Sequence, residues 1–178
     1  MHTTSIQAEV PPIDGCCEKE IFAFFGLVAY TAQVLEHSAL NLAIVLRLPA
    51  VNQITKQDFN KLYQQLTRKT FGGLISAARG LIQVSEEKEE ILKSAVDLRN
   101  YITHHYFRDR AEDFVSLSGQ HEMKREMQQF VARFTEADRV LTSLYQPLWD
   151  KYGVTEDYIQ AQMEELAKQA KERDQNPK

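Results

Sequence analysis

Residues 18–48, EKEIFAFFGLVAYTAQVLEHSALNLAIVLRL, form a long apolar segment near the start of the chain. It is apolar over most of its length, contains no proline and is followed by Pro49. A membrane-spanning helix would have the right length. Four polar side chains, Gln33, Glu36, His37 and Asn41, interrupt the run at mid-length, and such groups are costly in hydrocarbon. The stretch therefore predicts a long core helix that Pro49 ends.

The rest of the chain also reads as helical. No proline lies between Pro49 and Pro147, and this segment is rich in Leu, Ala, Glu, Gln and Lys, which favour helices. Nothing marks the frequent turns that an all-β or a parallel α/β fold needs. We therefore predict an all-α fold, an up-and-down bundle of four to five helices. A single domain occupies residues 18–171, between a flexible N-terminal arm (1–17) and a frayed C-terminal tail (172–178).

Capping residues and apolar periodicity place the individual helices. Thr55 or Asp58 caps the second helix, and Gly72 and Gly73 are expected to break or bend the chain. Ser85 caps a helix whose first turn is loaded with glutamate, which the helix dipole favours. After a polar connection over 108–119, with a helical turn at 111–114, we expect further helices. The second helix contains Phe59, Leu62, Tyr63 and Leu66, and the expected ranges of the later helices are 74–84, 86–107, 120–152 and 156–171.

Charge and cysteine content exclude several classes of protein. The formal net charge is -4 and the pI is near 5.8, which excludes a general nucleic-acid coat protein. The adjacent Cys16 and Cys17 are too few for a disulfide scaffold or a zinc site. The N-terminal segment lacks the pattern of a signal peptide. We therefore predict a cytoplasmic protein that does not enter a membrane and needs neither metal nor cofactor.

The most informative stretch for function is LRNYITHHYF, residues 98–107. On a helix, Arg99 falls within the apolar half, while Asn100 and His104 stack one turn apart on its border. A guanidinium in an apolar stripe is costly unless a partner neutralises it. One interpretation is purely structural: a carboxylate such as Glu36 holds a buried Arg99, and His104 is a satisfied polar neighbour.

The arrangement Arg-Asn-x-x-x-His of Arg99, Asn100 and His104 resembles the motif of the HEPN superfamily. The chain continues in the family's aromatic style with residues 105–107, and the motif stands on a penultimate long helix after a glutamate-rich start. The resemblance to the family's bundle covers roughly residues 18–152. It implies a bundle of four or five helices that dimerises about a two-fold axis.

The resemblance also implies a function. Many HEPN members are metal-independent endoribonucleases. Other members bind nucleic acids or nucleotides, or serve as partners in toxin–antitoxin and phage-defence systems. In the active members, the Arg and His of both chains build one cleft across the dimer. The resemblance therefore implies a homodimer, an RNA substrate and a protein antitoxin or regulator for this chain.

The residue types suit RNA cleavage by the attack of a 2′-hydroxyl on the adjacent phosphate. The imidazole of His104 can serve as the acid or the base. Arg99 offers a fixed positive fork to the phosphate oxygens. Asn100 can hydrogen-bond a phosphate oxygen or orient the imidazole of His104. We therefore predict Arg99, Asn100 and His104 as the catalytic residues.

Four neighbouring residues are predicted to bind the substrate. Arg108 and Arg110, together with His105, form a local positive patch that suits an RNA backbone. Tyr106 stacks on a base or else belongs to the core, as aromatics at this spacing more often do.

Three functions stay open at this stage. The first is an endoribonuclease of the HEPN type. The second is a non-catalytic HEPN-like module that binds a nucleic acid or nucleotide or regulates a partner. The third is a plain helical adaptor in which Arg99 stays buried against Glu36.

Overall fold

A computed structural model of the chain describes residues 18–51 and 53–175. The predicted arm, 1–17, and the end of the predicted tail, 176–178, lie outside these residues. The described part of the chain is all-α, as predicted, and contains no strand. Its helices are α1 (Glu18–Val45), α2 (Lys56–Leu66), α3 (Phe71–Ala78), α4 (Glu86–His104), α5 (Tyr106–Asp109), α6 (Ala111–Phe114), α7 (Leu117–Trp149) and α8 (Glu156–Gln175).

Helices α1 and α7 form the centre of the bundle and run in the same direction. Near their first turns, Lys124 Nζ of α7 lies 2.5 Å from Glu20 Oε2 of α1. Further along, the Ser38 hydroxyl donates to Asp138 Oδ1 at 2.5 Å. The core between them consists of buried side chains that recur at helical spacing, among them Val28, Leu35, Met127, Phe134 and Leu141.

Helix α4 runs antiparallel to α7, which gives the bundle its up-and-down order. Lys88 Nζ at the start of α4 lies 3.4 Å from Ser143 Oγ, late in α7. At the other end, Tyr101 of α4 makes an edge contact with Phe130, early in α7. Among the described residues, no helix combines the length and the apolar character that a membrane crossing requires.

The second helix begins as the sequence predicts, whereas the third does not. Thr55 and Asp58 form a reciprocal capping box at the start of α2. The expected break at Gly72 and Gly73 is wrong, because both glycines lie in the first turn of α3. Thr70 caps that helix by accepting a hydrogen bond from the Gly73 N–H at 3.2 Å.

The bounds of α3 and α1 also differ from the prediction. Helix α3 ends at Ala78 rather than at residue 84, and α1 ends at Val45, four residues before Pro49. The small size of Gly72 lets α3 lie close to α4, since a Cβ added there would be 3.3 Å from Val96 Cγ1. Close packing between helices, rather than flexibility of the chain, therefore explains this glycine.

Helix α4 ends three residues earlier than predicted. Ser85 caps its start as expected, but the helix stops at His104. The next residue, His105, has φ -130° and ψ -29°, outside helical values. The bend redirects the chain into the short helices α5 and α6, and α6 matches the helical turn predicted at 111–114. Helix α7 then follows from Leu117.

A tight corner joins α7 to α8. A single 3₁₀ turn, Asp150–Tyr152, is followed by Gly153 with φ 78°, a left-handed conformation that favours glycine. The Tyr152 hydroxyl donates to the carbonyl of Pro49 at 2.7 Å, which holds the corner against the end of α1. Helix α8 leaves this corner and runs to Gln175, four residues beyond the predicted end.

Candidate functional site

Arg99 and Glu36 form the centre of the candidate site, in the groove between α4 and α1. Arg99 Nε lies 2.5 Å from Glu36 Oε1, and the two side chains are 26% and 30% exposed. Arg99 therefore lies at the edge of the core rather than in its middle, where solvent still reaches the pair. Glu36 is the carboxylate that the sequence suggested as the partner of Arg99.

Asn100 and His104 lie on the solvent side of α4. Arg99 Nη1 is 3.5 Å from Asn100 Oδ1, a distance at the limit of a hydrogen bond. His104 is exposed and is the last residue of α4. Arg99 and His104 are five residues apart, so their side chains leave the helix about 140° apart, with Asn100 between them. The three predicted catalytic residues thus occupy one arc of α4 and do not converge on one point within a chain.

His105 and Arg108 form an exposed pair beyond the end of α4. Arg108 Nη2 lies 2.9 Å from His105 Nδ1. Because a guanidinium can only donate, this contact requires an unprotonated Nδ1. Arg108 Nε also lies 3.1 Å from Asp109 Oδ1. Both predicted substrate-binding residues are therefore accessible, but a carboxylate accompanies the arginine.

Arg110 is committed to the protein itself. Its Nε and Nη2 donate to the two carboxylate oxygens of Glu126 at 3.0 and 2.7 Å, and its Nη1 donates to Asp113 at 3.1 Å. The hydrogen bonds to Glu126, and then those to Asp113, raise the pKa of Arg110 further above its usual range. Such a bidentate pair fixes α6 to α7. Two carboxylates compensate the charge of Arg110, so its contact with an RNA backbone stays a prediction.

Tyr106 is a core residue, and its predicted contact with substrate is wrong. Its side chain is 1% exposed, and its hydroxyl donates to the carbonyl of Met123 at 3.2 Å. Burial, reinforced by the nearby Glu126, raises the pKa of this phenol well above its usual value. The bend at His105 turns the ring inward, where it contacts Phe25 and Phe130. The alternative of a core position is the correct one.

A depression that the sequence did not predict lies beside the Arg99–Glu36 pair. It encloses about 600 Å³, open to solvent, and Glu36 forms part of its wall. Other residues around it include Gln33, His37, Thr67 and Lys69. The sequence places Gln33, His37 and Asn41 on one polar stripe of the first helix, and the helical spacing of Glu36 puts it on the same face. No local pattern could have brought Lys69 to it.

Toward its N-terminal end, α1 carries an uncharged, exposed surface. The residues Phe22, Ala23, Gly26, Tyr30 and Val34 are all exposed, and we refer to them as the α1 face. Phe22 and Tyr30 are more than half exposed. Phe22 also contacts Phe107, which follows the motif. The α1 face therefore borders α5, which follows the end of α4 that carries Asn100 and His104.

Comparison with known proteins adds no assignment. No family model matches the chain, and no curated protein and no solved structure is similar to it. Within residues 18–51 and 53–175, no group of three or more His, Cys, Asp or Glu side chains is placed to hold a metal ion. The resemblance to the HEPN superfamily therefore stands on the residues of the motif.

Proposed function

We propose that this protein is a HEPN-like, metal-independent endoribonuclease that cleaves RNA through its own 2′-hydroxyl. The observation that carries the proposal is the solvent-facing arc of Arg99, Asn100 and His104 at the end of α4. A fixed cation and an imidazole stand on either side of an amide, and solvent reaches all three. These are the groups that the reaction requires.

Each residue has a distinct role in the proposed reaction. The imidazole of His104 takes the proton of the 2′-hydroxyl, or gives one to the departing 5′-oxygen. The guanidinium of Arg99 stabilises the charge on the phosphorane. Asn100, within reach of Arg99, donates its amide N–H to a phosphate oxygen. The bond between phosphorus and the 5′-oxygen breaks, leaving a 2′,3′-cyclic phosphate and a 5′-hydroxyl.

For the proposed reaction, the phosphate must replace Glu36 as the ion-pair partner of Arg99. The pair is partly exposed, and ion pairs of this kind contribute only about 1 kcal/mol or less. A phosphate can therefore replace the carboxylate at modest cost. Before RNA binds, Glu36 keeps the guanidinium in position across the groove between α1 and α4.

The proposal requires a second copy of the chain. Arg99 and His104 of one chain point about 140° apart. One phosphate can therefore contact a guanidinium and an imidazole together only if a second chain supplies one of the two side chains. The α1 face is uncharged, exposed and adjacent to the motif, which suits a two-fold contact. We propose that two copies meet there and that the Arg and His of both chains build one cleft.

A ribonuclease of this kind needs restraint in the cell. We propose that it acts in the cytoplasm within a toxin–antitoxin or phage-defence system, and that a protein antitoxin or regulator covers the cleft. Such a partner would have to reach the exposed His104, His105 and Arg108.

The test is cleavage of a mixed-sequence RNA by the purified protein in EDTA. We expect cleavage by the wild type, products that end in a cyclic phosphate, and loss of cleavage in Arg99→Ala and His104→Ala. The matched control is Arg133→Ala, which removes an exposed arginine from α7 outside the arc. Activity in the control but not in the two variants supports the proposal. Equal activity in wild type and His104→Ala excludes His104 as a catalytic residue.

A second candidate function follows from the charges around the motif. The arginines Arg99, Arg108 and Arg110 each contact a carboxylate, which weakens the attraction for an RNA backbone. This arrangement favours the non-catalytic HEPN-like module, which grips a nucleotide or a partner protein without cleaving RNA. Saturable RNA or nucleotide binding without any cleavage would select this function over the first.

A further inference from the structure

Helix α8 exposes an apolar stripe that no other element of residues 18–51 and 53–175 covers. None of its residues is buried, and Ile159, Met163 and Leu166 are 42%, 59% and 59% exposed. Together with Ala170 they recur at alternating steps of four and three residues, which is the spacing of a coiled-coil seam. In proteins, most of the stability of a helix comes from the packing of its amphipathic face rather than from helix propensity. We therefore expect another apolar surface to pack against this stripe.

We propose that α8 pairs antiparallel with α8 of a second copy of this chain. In antiparallel coiled coils, the two kinds of seam position face each other across the pair. One register then places Met163 opposite Leu166 of the second copy and Ile159 opposite Ala170, so that each large side chain has room. The same register places Glu156 opposite Arg173 at both ends of the seam.

Charge favours this orientation. The first half of α8 carries Glu156, Asp157, Glu164 and Glu165 without a basic residue, whereas three of the five charged residues from Lys168 to the end of α8 are basic. Parallel helices would bring the two acidic halves together, while antiparallel helices bring acidic to basic and also oppose their dipoles.

The residues that flank the seam suit pairing of identical chains. They are glutamine or alanine: Gln160, Gln162, Ala167 and Gln169. Charged residues of one sign at these positions would repel their copies in a homodimer. Two short helices make a small interface, so we expect association on the order of micromolar rather than nanomolar concentration.

The inference is independent of the proposed function. Helix α8 begins at the end of α7, and from Met123, beside Tyr106, to Trp149 that helix extends about 40 Å. The motif and the α1 face contain no residue of α8. Variants in α8 should change the mass of the assembly and leave any RNA cleavage per chain unchanged.

The first test exchanges the charges at the ends of the seam. By sedimentation, we expect Glu156→Arg and Arg173→Glu each to weaken the α8 association about tenfold, because each places like charges together at both ends. The double variant should recover to within about threefold of the wild type. Both substitutions oppose the helix dipole, so only a contact between chains explains recovery. Failure of the double variant to recover overturns the proposal.

The second test fixes the orientation by cross-linking. In a background with Cys16 and Cys17 replaced by serine, the pair Ile159→Cys and Ala170→Cys should oxidise to a covalent dimer. Ile159→Cys alone should not, because its copy lies about 16 Å away along an antiparallel pair. A cross-link in the single variant would show a parallel pair and overturn the proposal.

A third variant separates self-pairing from docking onto the chain's own bundle. Leu166→Glu should halve the sedimenting mass and leave the thermal unfolding of the bundle in place. Lower stability without a change of mass would show that α8 docks on its own bundle, and would contradict the proposal.

Discussion

Arg99 of α4 and Glu36 of α1 form an ion pair, with 2.5 Å between Nε and Oε1, that ties together two helices 63 residues apart in sequence. The pair marks where the candidate site meets the core. About a quarter of each side chain, or slightly more, reaches solvent. The contribution of this ion pair to the free energy of unfolding therefore separates two functions. A small contribution leaves Arg99 free to bind a phosphate, whereas a large one is expected of a structural adaptor.

We expect the Arg99–Glu36 pair to contribute little to stability. In a double-mutant cycle of Arg99→Ala and Glu36→Ala, followed by urea unfolding, the coupling should be about 0.5–1 kcal/mol, as for other partly exposed pairs. The buried pair of an adaptor would instead lose about 3–5 kcal/mol when one partner is removed. A loss of that size in either single variant would favour the adaptor.

The neighbouring histidines His104 and His105 should differ in their effect on RNA cleavage. His104→Ala should lower the rate by about 10²–10⁴-fold, the range of a positioned acid or base. His105→Ala should matter less, because His105 lies outside α4 and contacts Arg108. The rates are compared on one RNA in EDTA, with circular dichroism to establish folding. A larger loss at His105 would show that the wrong histidine has been assigned.

Asn100→Ala should leave the fold intact and lower the activity. Its side chain is exposed, and its contact with Arg99 is long, so we expect a change in the free energy of unfolding within about 0.5 kcal/mol. Thermal unfolding and RNA cleavage are measured on the same preparation. An unfolded Asn100→Ala would assign a structural role to the polar residues of the motif.

Tyr106→Phe should change how stability depends on pH. Loss of the hydrogen bond to Met123 should lower stability at neutral pH by about 1 kcal/mol. In the wild type, the raised pKa of the buried phenol stabilises the fold below pH 10. This contribution should be lost as the pH rises above about 10, where the tyrosine ionises more easily in the unfolded chain.

The measurement is urea unfolding at several pH values from 7 to 11. We expect the stability of Tyr106→Phe to fall less steeply than that of the wild type above pH 10. Parallel curves would show that Tyr106 is not the group responsible. The exposed Tyr158 offers the matched control, since Tyr158→Phe should leave the curve unchanged.

Gly119→Ala should destabilise the end of the bundle that carries the motif. A Cβ at Gly119 would lie 2.4 Å from the Cα and the carbonyl oxygen of Asp113, so α6 and α7 would have to separate, at a cost of about 1–3 kcal/mol. Gly26→Ala is the control, because nothing lies within 4 Å of its added Cβ. There we expect a gain of about 0.5–1 kcal/mol from helix propensity. Equal thermal stability of the two variants would contradict the close contact.

The sequence by itself determined the class of fold and the beginnings of most helices. Caps such as Thr55 and Ser85 act within one turn, and apolar periodicity marks the buried side of each helix. Both signals are contained in a few neighbouring residues, so they are readable without the fold. The solvent-facing positions of Asn100 and His104 follow from their spacing on α4 in the same way.

Tertiary structure alone decided how the motif is surrounded. The bend at His105 sends Tyr106 into the core, Glu126 and Asp113 claim Arg110, and Lys69 comes to the depression beside Glu36. The close approach of α3 to α4 likewise settles the place of Gly72. These outcomes depend on side chains from different helices, and the free energy of burial and ion pairing exists only once the helices have packed.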